Sequence, residues 1–133
     1  MISITGAALQ TALQYYDAWV GRDLDKAMDL VVDDIVCDAP PCLLEGIGTF
    51  RKFWNDFTGM CTGVTLVAAF GDDNSAVLFY DVETIPVDSA PVAEYLTVKN
   101  GKIISSRLVF DQTPFASFEG EAQAQLEAAK ITC

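Results

Sequence analysis

The stretch EYLTVKNGKIISSRLVF (94–110) is two alternating runs around Asn100-Gly101, a dipeptide that closes tight β-hairpins. Its register decides which way Glu94 faces. A two-residue turn pairs Lys99 with Lys102 and sets Glu94 opposite Arg107, as an ordinary cross-strand ion pair. A three-residue loop with Gly101 in the left-handed region pairs Val98 with Lys102 and sets Glu94 opposite Ser106. In that second register one face collects Val92, Leu96, Val98, Ile104, Leu108 and Phe110, with Glu94 and Ser106 as its only polar members. A register is fixed by the face it buries, so the bulged one is favoured. Glu94 then lies among apolar side chains, and its carboxyl pKa is expected to rise.

Working outward, strands are expected at about 62–70, 75–85, 91–98 and 102–111, with GDDN (71–74) and PVDSAP (86–91) as turns. Earlier in the chain the period changes. Leu9, Leu13, Tyr16 and Val20 recur at helical spacing, which predicts a helix over Ala7–Val20 ended by Gly21. Asp23 is the expected cap of a short second helix carrying Leu24, Ala27, Met28 and Val31. IVCDA (35–39) reads as a short strand halted by Pro40 and Pro41. A third helix near Gly48–Thr58 carries Phe50, Phe53, Trp54 and Phe57 as one aromatic stripe. Helices followed by an antiparallel meander give an α+β class, with helices on one face of a curved sheet. One domain over 1–133 is expected, with a core of about 8–115 and a helical tail over 116–133.

Nineteen acidic against eight basic residues give a net charge of −11, which argues against nucleic acid or an anionic membrane as partner. There is no histidine. That excludes Ser-His and Cys-His catalysis, histidine-ligated metals and a histidine base, and leaves acid–base work to Asp, Glu, Tyr, Lys or Cys. Cys37 and Cys42 have no second pair to complete a zinc site, and no phosphate loop occurs, so neither metal nor cofactor is expected. MISITGAALQ (1–10) lacks the basic start and apolar core of a signal peptide. The expectation is therefore a cytoplasmic protein whose four cysteines are thiols.

YYDAWVGRDLDKAMDLVVDDIVCDAP (15–40), EGIGTFRKFW (45–54) and AEYLTVKNGKIISSRLVFD (93–111) resemble the SnoaL-like group of the NTF2-like superfamily. Ketosteroid isomerase, limonene epoxide hydrolase and polyketide cyclases are relatives in that superfamily. The resemblance implies a cone: a bent sheet, described as a cystatin-like α+β barrel, around helices and a deep apolar pocket, often in a homodimer. Carried over from ketosteroid isomerase, the phenolic oxyanion-hole residue falls on Tyr15 and the protonated carboxylic acid on Glu94. The isomerase base falls on Ala39, one residue beyond Asp38. The Asp-Arg-Asp set of the epoxide hydrolases and the histidine of the cyclases are not matched.

In this fold AVLFYDVETI (76–85) is expected to set Val77, Phe79, Asp81, Glu83 and Ile85 on the concave side. Asp81 would then share the cavity with Glu94, and the two carboxyls would titrate apart. Tyr15, Asp38, Asp81 and Glu94 are the expected catalytic groups. Trp19, Phe53, Trp54 and Phe57 from the helices would line the pocket. Phe79, Glu83, Leu96, Ser106, Leu108 and Phe110 would line it from the sheet. The leading expectation is a cofactor-independent isomerase, cyclase or epoxide hydrolase acting on an apolar oxygenated molecule. A binding protein for an apolar ligand and a dimeric interaction module are the alternatives.

Overall fold

The computed structural model describes residues 6–40, 42–84 and 89–111. Helix α1 spans Ala7–Val20, and α2 spans Leu24–Met28 behind Asp23, whose carboxylate accepts from Lys26 N at 3.1 Å. Strand β1 (Val31–Ala39) and strand β2 (Cys42–Glu45) form a hairpin, and helix α3 (Ile47–Met60) follows. Four long strands complete the chain: β3 (Cys61–Gly71), β4 (Ser75–Thr84), β5 (Ala90–Lys99) and β6 (Lys102–Phe110). The α+β class is as expected. The sheet order is β2-β1-β6-β5-β4-β3, curved and not closed into a barrel. It is mixed rather than wholly antiparallel, because β1 pairs with β6 in parallel. Neither that pairing nor β2 was expected, and Val31 opens β1 instead of extending α2. The expected tail helix lies outside the described residues.

Neither expected hairpin register is present. Asn100 (φ 54°) and Gly101 (φ 76°) form a two-residue turn pairing Lys99 with Lys102, as in the first. Val98 then pairs with Ile103 but Thr97 with Ser105, so Ile104 is an extra residue in β6. The bulge reverses the alternation. Ile103, Ser106 and Leu108 all face inward, and Glu94 stands opposite Leu108, with Ser106 on the diagonal. The buried face keeps Val92, Glu94, Leu96, Val98, Ser106 and Leu108 as expected, but Ile103 stands on it where Ile104 was expected.

Helix α1 lies across the inner face, anchored at its start by the β3–β4 turn. Gly6 offers no side-chain cap; instead Ala8 N donates to Asp72 O (3.1 Å) and Ala7 N to the Asp73 carboxylate (3.1 Å). Asp72 shapes that turn by accepting from Asn74 N and Ser75 N, bonds that lower its carboxyl pKa. Trp19, Trp54, Tyr15, Tyr80 and Phe50 are all under 2% exposed and fill the space between helices and sheet. Trp19 stacks on Trp54 with ring centres 4.3 Å apart.

No described helix is long and apolar enough to cross a membrane. Cys37 and Cys61 are free, but Cys42 is disulfide-bonded, which corrects the expectation of four thiols.

A Cβ on Gly6 would meet Asp72 O at 2.4 Å, a backbone contact that cannot give way alone. Gly6→Ala is therefore expected to lower stability by about 1–3 kcal/mol in urea unfolding, as overpacked sites do.

Candidate active site

Glu94 is fully buried on β5, with no cation within ion-pairing distance among the described residues. Three hydroxyls hold it instead. Tyr15 Oη on α1 donates to Oε2 at 3.0 Å, and Ser106 Oγ on β6 donates to the same oxygen at 2.9 Å. Tyr80 Oη on β4 donates to Oε1 at 3.1 Å. Desolvation pushes the Glu94 carboxyl from its ordinary 4.5 up to about 7, against the pull of these bonds in the other direction. Burial and the neighbouring carboxylate raise both tyrosines well above their ordinary range, so both stay protonated donors. Cys37, the β1 partner of Ser106, also faces inward, and burial followed by Glu94 raises its thiol to about 12. It is an inert thiol at neutral pH.

Asp81 does not join Glu94. On β4 the buried residues are Ala76, Leu78, Tyr80, Val82 and Thr84, so Val77, Phe79, Asp81 and Glu83 stand on the outer face. A charged pair at 81 and 83 stays wetted that way, whereas the opposite parity would bury both. The raised pKa of Glu94 thus comes from desolvation, with no second carboxyl contributing. Ile85 lies outside the described residues. Asp38 also faces outward, between the buried Cys37 and Ala39, and meets Arg107 at 3.5 Å in a largely exposed ion pair. Where ketosteroid isomerase would carry its base, this chain has the inward methyl of Ala39.

Phe79 and Glu83 are therefore excluded from any lining of the inner face. Leu96, Leu108 and Ser106 do surround Glu94, and Trp54 is buried beside Tyr15, while Phe53, Phe57 and Phe110 are half-buried. Sequence reasoning missed Tyr80. Its signal was parity with Ala76, Leu78 and Val82, the uncharged alternate of β4. Among the described residues the interior expected as a deep pocket is occupied by aromatic rings. A crevice of about 180 Å³ opens at the mouth, where the end of α1 meets α3 and β3, and Trp19 forms part of its wall.

A curved sheet wrapped on helices around one cation-free carboxyl defines a small α+β domain built for a buried polar site. The SnoaL-like domain model matches residues 12–106, and the chain belongs to that family. Its fold is similar to that of a Kribbella flavida protein of 45% identity (TM-score 0.82), covering 92% of this chain and 99% of that one. It is also similar to a candidate ketosteroid isomerase from Kribbella flavida at 16% identity (TM-score 0.72), covering 79% of this chain and 78% of that one. A candidate polyketide cyclase from Sinorhizobium meliloti matches at 17% identity (TM-score 0.68), over 75% of this chain and 94% of that one. The two last likenesses concern fold alone. No curated protein sequence matches the chain.

The Glu94 shift makes stability depend on pH. The folded pKa (about 7) exceeds the unfolded value (4.5), so the folded state holds the proton more tightly. This contribution is fully present below pH 4.5 and is lost as pH rises through 7, a fall of roughly 3 kcal/mol. Urea midpoints between pH 5 and 8 are expected to show that decline, and Glu94→Gln to abolish it.

Proposed function

We propose that the protein performs cofactor-independent proton transfer, of the isomerase or cyclase type, on an apolar oxygenated small molecule. The observation that carries this reading is Glu94: a buried carboxyl with a pKa near neutrality, held by hydroxyls alone. At pH 7 such a group is populated as both acid and base, the condition for general acid–base catalysis. With one carboxyl and no partner acid, Glu94 takes a proton from carbon and returns it elsewhere on the same molecule. Tyr15 and Tyr80, released from Glu94 as substrate enters, donate to the oxyanion that forms between the two steps. Ser106 keeps the carboxyl oriented. Asp38 and Asp81 have no part in this scheme.

The test is loss of α-protons from 2-tetralone, an apolar enolisable ketone, followed by proton NMR in deuterium oxide. Wild-type protein is expected to accelerate the exchange, and Glu94→Gln to reduce that acceleration at least ~100-fold. Asp81→Asn and Asp38→Asn are expected to leave it unchanged. Exchange in the Glu94→Gln protein at the wild-type rate would remove Glu94 from the chemistry.

We also propose that a second copy of the chain covers the outer sheet face. Val36, Leu43, Phe79, Tyr95 and Val109 are each more than a third exposed there, on five neighbouring strands. Sedimentation is expected to give a dimer, and Tyr95→Lys with Val109→Lys a monomer.

A further inference from the structure

Of the three arginines, two are paired: Arg51 with Asp25 at 2.6 Å and Arg107 with Asp38 at 3.5 Å. Among the described residues Arg22 has no carboxylate partner. Its guanidinium makes a single hydrogen bond, Nη2 to Cys61 O at 3.3 Å, across the mouth between α1 and β3. The remaining N–H donors of that fork have no acceptor among the described residues. Arg22 also sits at φ 63°, a conformation that favours glycine or asparagine and disfavours a long side chain. The backbone here would be easier with glycine, so packing does not account for the arginine.

Arg22 stands on the wall of the crevice, with Trp19, Val20, Thr58, Cys61 and Val64. Trp19 lies behind it, fully buried, with an indole N–H that has no acceptor among the described residues. The crevice is open to solvent and measures about 180 Å³, with Val20 and Val64 beside Arg22 and Thr58 in its wall. We propose that the crevice binds a small aromatic carboxylate, its ring against Val20 and Val64 in front of Trp19 and its carboxylate on the Arg22 guanidinium. The inference goes beyond proton transfer at Glu94, because it gives the ligand a charge and a point of entry. It stands whether or not Glu94 turns that ligand over. One acid works against it: Glu83 lies over Gly63 at the rim, its Oε2 2.8 Å from where a Gly63 Cβ would be. Glu83 is not paired with Arg22, so it lowers anion affinity without occupying the guanidinium.

The probe is benzoate, with benzamide as its neutral match, read on the two indole N–H signals in a nitrogen–proton correlation spectrum. Trp54→Phe assigns them. Benzoate is expected to shift the Trp19 signal saturably, and benzamide to bind at least ten-fold more weakly. Arg22→Gly is expected to weaken benzoate at least ten-fold while the thermal midpoint stays level or rises, which separates ligand binding from a structural role. Arg22→Lys should retain part of the affinity, and Glu83→Gln should increase it. Equal binding of the two probes, undiminished binding in Arg22→Gly, or no shift with either probe would overturn the proposal. Glu94→Gln is expected to bind benzoate like the wild type, so failure of the proton-transfer reading is distinguishable from failure of this one.

Discussion

A carboxyl group withdrawn from water, with no cation beside it among the described residues, has to be held by hydrogen bonds, and three separate elements meet around Glu94 to supply them. Each is placed there by something local. Tyr15 arrives on α1, whose first turn is fixed by the Asp72–Asp73 corner of the β3–β4 turn. Tyr80 arrives on the inward alternate of β4. Ser106 arrives because one extra residue, Ile104, reverses the alternation of β6 midway along the strand. Without that bulge, position 106 would carry its hydroxyl to the outer face and Arg107 would turn inward. The hydroxyl trio does not fully offset desolvation, and the residue of that contest is a carboxyl that titrates near neutrality.

The aromatic interior separates this carboxyl from the mouth of the cone. Trp19 touches the crevice on one side and Tyr80 on the other, with ring centres 5.4 Å apart, and Tyr80 in turn holds Glu94. Trp54 stacks behind Trp19 and meets Tyr15 edge-on at 6.2 Å. The path from the mouth to the carboxyl is therefore a chain of rings. Two of them carry indole N–H groups with no acceptor among the described residues.

Much of this was legible in the sequence, and the failures have physical causes. The limits of α1, the Asp23 cap and the inward direction of Glu94 follow from period, capping chemistry and the sorting of a sheet face. Asp81 was misplaced because both alternates of β4 are apolar: Ala76, Leu78, Tyr80 and Val82 on one, Val77 and Phe79 on the other. Alternation cannot choose between two apolar faces, and the outer face here is itself rich in exposed apolar side chains. The pair of charges at 81 and 83 was the better guide, since burying both is the costlier arrangement. The hairpin bulge escaped because a two-residue turn and an extra residue further along mimic a three-residue loop in where they leave the faces. The parallel β1–β6 pairing is a contact between distant parts of the chain, and no local pattern encodes it.

That distant pairing shapes how the molecule assembles. Strands β3 to β6 form a meander of neighbours in sequence, so they can pair early, with β6 left as an open edge. Closing that edge requires β1, from the far end of the chain, to bring Cys37 beside Ser106. Contacts of such long sequence separation carry a large loop-closure entropy and are characteristically late and slow to form. A substitution that loosens the β1–β6 pairing therefore bears on the site from a distance, because Ser106, one of the three donors to Glu94, stands on the strand that β1 covers.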